Sequence, residues 1–575
     1  MVIVARSRAP IAGLTAACAL AGSLLIATCG PVLDAPRPGA AGSGLASPGP
    51  SPPARMTAPP SPADNFHTAD RCIACHKGVS ARDGTDVSIG FDWRASMMAN
   101  SARDPYFQAA VRREIMDHPG AASEIEAECS RCHMPMASVA AMQAGQAGGV
   151  FVNLPIGDAE GPWADLAADG VSCSLCHQIR PDGLGREETF TARFSVSPET
   201  PADGRPVFGP FEPDEGGSGI MHSATGFRPA LGEHVTSSGL CASCHTVITH
   251  AVGPDGPGPA FPEQSPFLEW QASIYADGAE REQSCQDCHM PEVGGDVPVT
   301  RVLGRARPEV SRHVFRGGNF FMLRMLNRYR DELGVTALPQ EMELAAGRTA
   351  DHLRTATATV EIGGVGIGGE RLEATVTVRN LAGHKFPTAY PSRRAWLRFA
   401  VTDTWGERVF ESGAFSPDGR VIGDNHDADG SSYEPHYTVI TSPDQVQVYQ
   451  AVMADGGGAV TTGLMSAHEW VKDNRILPEG FDPARADARV RSVGIAAGDP
   501  DFEAGSDRVH YTVPIDPGDG PFTLEAELWF QPVGYRWAEN LAAYDAAETR
   551  RFLRYYREMA HASAIRVARD SAEVR

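Results

Sequence analysis

The sequence has no excess of basic side chains: its 50 Lys and Arg residues are outnumbered by 72 Asp and Glu, and the formal net charge is -22. This balance argues against nucleic acid and anionic lipid headgroups as partners. No long apolar run follows residue 28, so no further membrane-spanning helix is predicted. At 575 residues, the chain is long enough for two or more folded units.

Cysteine is scarce outside a single pattern. Ten of the 12 cysteines fall into five Cys-x-x-Cys-His motifs, so none of these ten is left for a disulfide, and the other two, Cys18 and Cys29, lie near the start. A random arrangement of the same cysteines and histidines would give about 0.008 such motifs. The motifs, numbered 1 to 5 along the chain, are Cys72, Cys75, His76; Cys129, Cys132, His133; Cys173, Cys176, His177; Cys241, Cys244, His245; and Cys285, Cys288, His289.

This spacing is the signature of covalent c-type haem attachment. Two thiols three residues apart on one helical turn reach the two vinyl groups of one haem, and the following histidine becomes the proximal iron ligand. Zinc sites or disulfides do not require a histidine directly after every second cysteine. We therefore predict five haem c groups as cofactors, and an exported protein, because these bonds are made outside the cytoplasm.

The first 29 residues read as an export signal, with Arg6 and Arg8 before an apolar run over 11–28. The signal is either a cleaved signal peptide or a lipoprotein signal that ends at a lipidated Cys29, although Thr28 is atypical directly before such a cysteine. Residues 30–63 are rich in Pro, Ala, Gly and Ser, which predicts a flexible linker. The expected location is the periplasm or the cell surface, with an N-terminal lipid tether as the alternative to a free protein.

Two similar segments indicate an internal duplication. Residues 93–99 read WRASMMA and residues 270–276 read WQASIYA, and each segment lies between two motifs. Motifs 2 and 5, which follow these segments, each continue with Met-Pro. We interpret the pattern as a two-haem module present twice, with motifs 1 and 2 matching motifs 4 and 5 and motif 3 between them.

With these motifs, residues 64–330 resemble the multihaem cytochromes related to hydroxylamine oxidoreductase. The resemblance implies a mainly α and loop domain with a haem-packed core and closely stacked haem pairs. In that group the pattern Trp-x-x-Ser-x-His-Ala often supplies a distal ligand, and Met98 and Tyr275 stand at the histidine position here. A Met98 ligand would raise the potential of one haem. The alternative is that Met98 only packs against a porphyrin.

The distal ligands are sought among the 13 histidines that remain after the five proximal ones. His313 precedes Gly317 and Gly318, which permit close backbone approach to a flat cofactor. Gly383, His384 and Lys385 resemble GHK-x-P loops of large multihaem cytochromes, which implies that His384 leans back onto the haem domain. The distal candidates are His67, Met98, His222, His234, His313 and His384.

From about residue 354 the sequence changes to short alternating runs between Gly, Pro, Asp and Asn clusters. This alternating sequence pattern predicts an antiparallel β-sandwich domain over 350–535. Residues 537–568 contain good helix formers with apolar residues near helical spacing, which predicts a C-terminal helix that packs on its own domain.

An acidic segment in this half imitates part of a calcium loop. Asn425, Asp427 and Asp429 precede Gly430, but the twelfth position is His436 rather than the bidentate glutamate that calcium requires. A solvated acidic turn is the simpler interpretation.

These features support three hypotheses of different classes. The first is an electron carrier that moves electrons along five haems in a respiratory chain, between donor and acceptor proteins, without catalytic residues. The alternative is an oxidoreductase in which one haem keeps an open distal position for a small nitrogen or sulfur compound. Against this alternative, every motif ends in histidine, and the sequence lacks the lysine-ending motif of cytochrome c nitrite reductases. In the third, the β-domain is a docking or carbohydrate-like binding module. Nothing in the sequence indicates an oligomer or a filament.

Overall fold

A computed structural model of the chain describes residues 65–197, 204–253 and 256–575. The predicted export signal, the linker over 30–63 and the lipidation candidate Cys29 lie outside these residues.

The part up to residue 356 consists of short helices joined by long loops. The helices are α1 (Ala69–Ile73), α2 (Ile89–Arg94), α3 (Pro105–Asp117), α4 (Ala122–His133), α5 (Pro135–Gln143), α6 (Ala164–Ala168), α7 (Cys173–Cys176), α8 (Glu215–Thr225), α9 (Ser238–His245), α10 (Pro266–Gln271), α11 (Cys285–His289), α12 (Phe320–Arg328), α13 (Arg330–Leu333) and α14 (Pro339–Ala356). Three small strand pairs accompany them: β1 (Arg205–Gly209) with β2 (Phe227–Leu231), β3 (Val247–Gly253) with β4 (Gly256–Gln264), and β5 (Val297–Pro298) with β6 (Ala306–Arg307).

The helices follow local sequence signals. Pro105 occupies the first turn of α3, and the Asp104 carboxylate accepts hydrogen bonds from the backbone N–H groups of Tyr106 and Phe107. Such a cap satisfies donors that have no partner within the helix.

The remaining chain forms mainly strands. They are β7 (Ala358–Gly368), β8 (Arg371–Asn380), β9 (Arg394–Thr402), β10 (Arg408–Ser412), β11 (Val439–Ile440), β12 (Val448–Tyr449), β13 (Ala451–Asp455), β14 (Val460–Thr461), β15 (Ala467–Asp473), β16 (Ser506–Pro514), β17 (Phe522–Gln531) and β18 (Ile565–Val574). The helices of this part are α15 (Asn425–Ala428), α16 (Tyr535–Glu539) and α17 (Ala547–Met559).

Two mainly antiparallel sheets dominate this part, as the alternating sequence pattern predicts. One has the order β10-β9-β17-β18, with β12 also paired to β9, and the other has the order β11-β16-β8-β7. Along β8, side chains from Leu372 to Val378 alternate between the core and the surface. The rings of Phe399 and Tyr511, one from each sheet, stack with centroids 4.0 Å apart, so the sheets share an apolar core.

The predicted helix over 537–568 is wrong in its extent. Helix α17 ends at Met559, and residues 565–574 form β18, which pairs with β17 from Phe522 to Phe530. The Ala, Arg and Glu residues of this segment are good helix formers, but helix propensity is a small energetic effect. Pairing with a neighbouring strand overrides it.

Helix α17 contacts its own part of the chain, where the Tyr556 hydroxyl donates to the carbonyl of Val533 at 3.5 Å, and it also packs on the motif-bearing part. Phe552 lies 5.1 Å from the ring of Tyr106 on α3, and Arg112 of α3 forms an ion pair with Glu548. The helix therefore connects the strand-rich part to the motif-bearing part. Within the described residues, no helix is long and apolar enough to cross a membrane.

Candidate functional site

The five motifs converge on one continuous cavity of about 1230 Å³, which all ten motif cysteines and all five motif histidines line. A single small-molecule site typically has roughly 300–1,000 Å³. None of the ten cysteines is in a disulfide. The donor set and the shared space fit several covalently bound haems, which the ten thiols and five imidazoles would hold.

Each motif lies within or at the end of a short helix, namely α1, α4, α7, α9 or α11. Helical residues three apart share a face, so the two thiols of a motif point the same way. The histidine is the last residue of α4, α9 and α11, directly follows α7, and comes three residues after α1, so the chain can turn its ring into the cavity.

Backbone carbonyls fix four of the five motif histidines. Nδ1 contacts the carbonyl oxygen of Val299 at 2.8 Å in His76, of Ser101 at 3.4 Å in His133, of Phe208 at 2.5 Å in His177 and of Arg316 at 2.5 Å in His289. A carbonyl only accepts, so Nδ1 carries the proton and Nε2 keeps its lone pair for a metal. Burial lowers the pKa of His133 and of His289 to about 4, which keeps both rings neutral.

Thiols of different motifs are neighbours. The side chains of Cys72 and Cys173, of Cys132 and Cys244, and of Cys241 and Cys285 lie close enough to interact. Motif 1 is thus adjacent to motif 3, and motif 4 is adjacent to both motif 2 and motif 5. The Cys176 thiol also interacts electrostatically with Cys244, which links motif 3 to motif 4. All five motifs form one connected series with motif 4 at the branch point.

The two motifs that form each copy of the internal duplication differ from those predicted. Trp93 donates from Nε1 to the carbonyl of Val171, and Trp270 donates to the carbonyl of Gln283, both at 2.9 Å. Each carbonyl lies two residues before the first cysteine of motif 3 or motif 5. The repeated unit is therefore motif 1, Trp93 and motif 3, which matches motif 4, Trp270 and motif 5, with motif 2 inserted in the first copy.

Two of the distal candidates line the cavity opposite motif histidines. The ring centroids of His313 and His177 are 6.3 Å apart with planes 22° apart, and those of His384 and His289 are 6.2 Å apart with planes 10° apart. Two imidazoles on opposite sides of one metal each contribute a bond of about 2.0 Å and roughly 1.1 Å from that nitrogen to the ring centre, or about 6.2 Å in all. Both pairs thus have the separation of two axial ligands.

A third histidine of this region was not among the candidates. His352 on α14 lines the cavity, with its ring 6.0 Å from that of His289 and the planes 69° apart. Thr349, Leu353 and Ala356 line the cavity from the same helix face. Their helical spacing is the sequence signal that could have identified His352.

His67, His222 and His234 are not among the residues that line the cavity. Nε2 of His67 contacts the carbonyl of Thr225 at 2.8 Å, and Nε2 of His234 contacts the carbonyl of Ile179 at 2.9 Å. The ring of His222 packs against Gly204, where an added Cβ would lie 2.7 Å from its Cδ2. Local hydrogen bonds and packing thus occupy these rings.

Met98 and Tyr275 occupy equivalent places in the two copies of the repeat, and both line the cavity. The Tyr275 hydroxyl donates to the carbonyl of Leu381 at 3.4 Å. The backbone carbonyl of Met98 accepts from the backbone N–H of Val171.

Three carboxyl groups line the cavity beside motif 2: Glu114, Glu128 and Glu263. Burial, together with the nearby carboxyl groups of Glu128 and Glu114, raises the pKa of Glu263 to about 8. This wall can hold protons near neutral pH.

The residues that imitate part of a calcium loop bind other groups of the protein. Both carboxylate oxygens of Asp427 accept from Arg394, each at 2.8 Å. The Asp429 carboxylate accepts from Ser431, and the backbone N–H of Asn425 donates to Glu434. The segment is a hydrogen-bonded turn beside a buried guanidinium.

Another cluster has the composition of a metal site, with His436, Asp499 and Asp507 offering ligand atoms within 4.8 Å of one another. Nδ1 of His436 accepts from the amides of Gln447 at 2.8 Å and Asn474 at 3.1 Å. Nε2 therefore bears the proton and donates to Asp499 at 3.0 Å, which removes the lone pair that a metal would need. The cluster is a buried hydrogen-bond network.

No family model and no curated protein matches this chain. Among solved structures, a penta-heme cytochrome c552 from Thermochromatium tepidum is similar to it, with 16% sequence identity and a TM-score of 0.48. The match covers 89% of this chain and 100% of that chain. This structural similarity is too weak to assign a function. The function is inferred from the motifs and the cavity instead.

Proposed function

We propose that this protein is an exported multihaem c-type cytochrome that transfers electrons in a respiratory chain. The observation that carries the proposal is the convergence of five Cys-x-x-Cys-His motifs on one cavity in a connected series. Haems that act independently of one another would not need to lie in one common cavity.

The chain's own residues have three roles in this proposal. The ten thiols bind the prosthetic groups covalently, the five motif histidines donate Nε2 to iron, and the carbonyls that hold their Nδ1–H groups orient the rings. When bound, haem supplies one-electron transfer at its iron, at a potential set by the axial ligands and the surroundings.

His313 and His384 are the proposed distal ligands of motifs 3 and 5. Their separations from His177 and His289 support this role, and motifs 3 and 5 hold equivalent positions in the two copies of the repeat. His352 is the competing ligand for motif 5, because it also lies near His289. Met98 stays a candidate for motif 1 or motif 3, which flank it in the first copy.

The alternative function is an oxidoreductase that acts on a small nitrogen or sulfur compound. The observation that favours it is that, among the described ring pairs, His76, His133 and His245 have no second imidazole at axial distance. A haem with one free axial position can bind a small ligand. The acidic wall beside motif 2 would then hold protons near such a ligand.

The location and the partners are also proposals. Residues 1–29 would direct export to the periplasm or the cell surface, where Cys29 would be the lipid attachment site if the signal is of the lipoprotein type. Donor and acceptor would be proteins, because the net charge of -22 disfavours nucleic acid.

Low-temperature EPR of the oxidised holoprotein, with and without nitrite or hydroxylamine, tests the proposal. An electron carrier gives low-spin signals that do not respond to either compound. A high-spin signal that changes on addition of one compound would favour the oxidoreductase instead. A protein without covalent haem would contradict both functions.

A further inference from the structure

Two adjacent arginines at the start of β9 point in opposite directions. Arg394 is buried and forms ion pairs with Asp424 at 2.7 Å and Asp427 at 2.8 Å. Arg393 lines the cavity instead, and within the described residues its guanidinium donates only to the backbone carbonyl of Thr388, at 3.0 Å.

Arg393 lies near the histidine of motif 4 and near the proposed distal ligand of motif 5. Its charge acts on His245 of motif 4 and on His384, the proposed distal ligand of motif 5. Burial without an acidic neighbour lowers the pKa of Arg393 to about 10, so the group is still a cation at neutral pH.

A second guanidinium near motif 5 has the same character. Arg316 lines the cavity, and its Nε donates to the backbone carbonyl of Cys288 at 2.9 Å. In the part of the chain that the structure describes, Arg316 has no ion pair with a carboxylate. Its own carbonyl accepts from Nδ1 of His289, so the residue lies directly beside the motif.

These two cations are both partly removed from water, and neither has a carboxylate partner within the described residues. Removing a guanidinium from water costs several kcal/mol unless a counter-charge replaces the water. Arg475, which is 7% exposed, shows such compensation, because it pairs with both Asp473 and Glu269. Within the described residues Arg316 and Arg393 have no such carboxylate, and both face the same cavity.

The surroundings of Arg393 contain a further polar group without a partner. An added Cβ at Gly318 would lie 4.0 Å from Nη1 of Arg393, and the next residue, Asn319, also lines the cavity. Its buried Oδ1 has no hydrogen-bond partner within the described residues. An amide oxygen only accepts, so this group would be satisfied by a hydrogen-bond donor such as a water molecule beside the anion, not by the anionic oxygens themselves.

We infer that Arg316 and Arg393 bind anionic oxygen atoms at the end of the cavity that motifs 4 and 5 form. The planar guanidinium fork matches the paired oxygens of a carboxylate or a small oxyanion. Two sources share this chemistry: the propionates of the haems, in which case the inference rests on the proposed function, and a free oxyanion from solution.

The test uses the holoprotein and four variants: Arg393→Gln, Arg316→Gln, Arg393→Lys and the control Arg281→Gln. Arg281 lies over the ring of Tyr275, with 5.1 Å to its centroid, but it pairs with Glu479 and is half exposed. A redox titration followed by optical absorption gives the haem potentials, and the pyridine haemochrome assay gives the haem content. Wild-type haem content is measured first, so that failure of the proposed function is recognised separately.

The two Arg→Gln variants should lower at least one midpoint potential, because loss of a positive charge favours the ferric form. Arg393→Lys should restore most of the shift, and Arg281→Gln should leave all potentials unchanged. Potentials for Arg393→Gln and Arg316→Gln that match those of Arg281→Gln would overturn the inference.

Two further titrations identify the source of the anion. With propionates as partners, added phosphate or sulfate does not change the wild-type potentials, and Arg393→Gln introduces a new pH-dependent step because the freed carboxylate gains a higher pKa. With a free oxyanion, added phosphate or sulfate shifts the wild-type potentials, and Arg393→Gln abolishes that response. Absence of both responses would contradict anion binding at Arg393.

Discussion

The imidazole of His384 lies 6.2 Å from that of His289, although the two residues are separated by 95 positions and by several secondary-structure elements. A network of four buried charges holds the loop that carries His384. Glu269 on α10 accepts from the backbone N–H of Lys385 at 3.1 Å and pairs with Arg475 at 3.0 Å. Arg475 and Lys385 both pair with Asp473, each at 2.7 Å.

The first prediction concerns this network. Glu269→Gln should displace the His384 loop, because Arg475 loses a partner and an uncompensated buried charge costs about 3–5 kcal/mol. We expect one haem to change from low spin to high spin in the EPR spectrum and the free energy of unfolding to fall.

The matched control is Asp424→Asn, which breaks a buried pair with Arg394 away from the cavity. It should lower the stability without a new high-spin signal. High-spin haem in both variants, or in neither, would show that Glu269 does not position His384.

The second prediction separates His384 from His352 as the distal ligand. His384→Gly should convert one haem to high spin, and added imidazole should restore the low-spin signal by filling the vacated position. His352→Gly should leave the count of low-spin haems unchanged. The reverse outcome would assign the ligand to His352.

The third prediction is a pH dependence of stability. Asp507 is fully buried, and burial raises its pKa to about 7, from an ordinary value of 3.8. Its Oδ2 accepts from Tyr449 at 2.7 Å and Gln447 at 2.9 Å, whereas its Oδ1 has no partner within the described residues.

The folded protein therefore binds this proton more tightly than the unfolded chain. The resulting stabilisation is complete below about pH 4 and is lost as the pH rises to about 7. Three pKa units correspond to about 4 kcal/mol as an upper limit. Asp507→Asn resembles the protonated acid and should flatten this part of the curve in urea unfolding measured from pH 4 to pH 8. An unchanged slope would contradict a proton on Asp507.

The fourth prediction tests the contact between α17 and α3. Phe552 is fully buried and lies against Tyr106, so Phe552→Ala should lower the free energy of unfolding by about 3–5 kcal/mol. The control Leu344→Ala removes a side chain that is 58% exposed and should have little effect. Because Tyr106 lines the cavity, the first variant should also alter the haem absorption spectrum. A loss of stability without that change would mean that the helix does not support the cavity.

The motifs could be predicted from the sequence because each one is local: three residues within one turn contain the whole signal. The strands of the second part were predictable for a similar reason, since alternation is visible within a few residues. Segment 565–574 was not, because its strand depends on pairing with β17.

Contacts between distant residues explain what the sequence did not reveal in the site. The likeness of residues 93–99 and 270–276 indicated a duplication, but only the hydrogen bonds of Trp93 and Trp270 assign each to motif 3 or motif 5. His67 and His234 are close to motifs in sequence, yet backbone carbonyls occupy their ring nitrogens. His352 enters the cavity because α14 packs there, and that packing depends on residues far away in the chain.

The central claim is that one cavity holds five covalently attached haems, and the mass of the denatured, exported holoprotein tests it most directly. We expect a mass equal to that of the mature chain plus five haems, with one haem on each of the five motif peptides after proteolysis. A mass with fewer haems, or motif cysteines linked in disulfides, would contradict the claim.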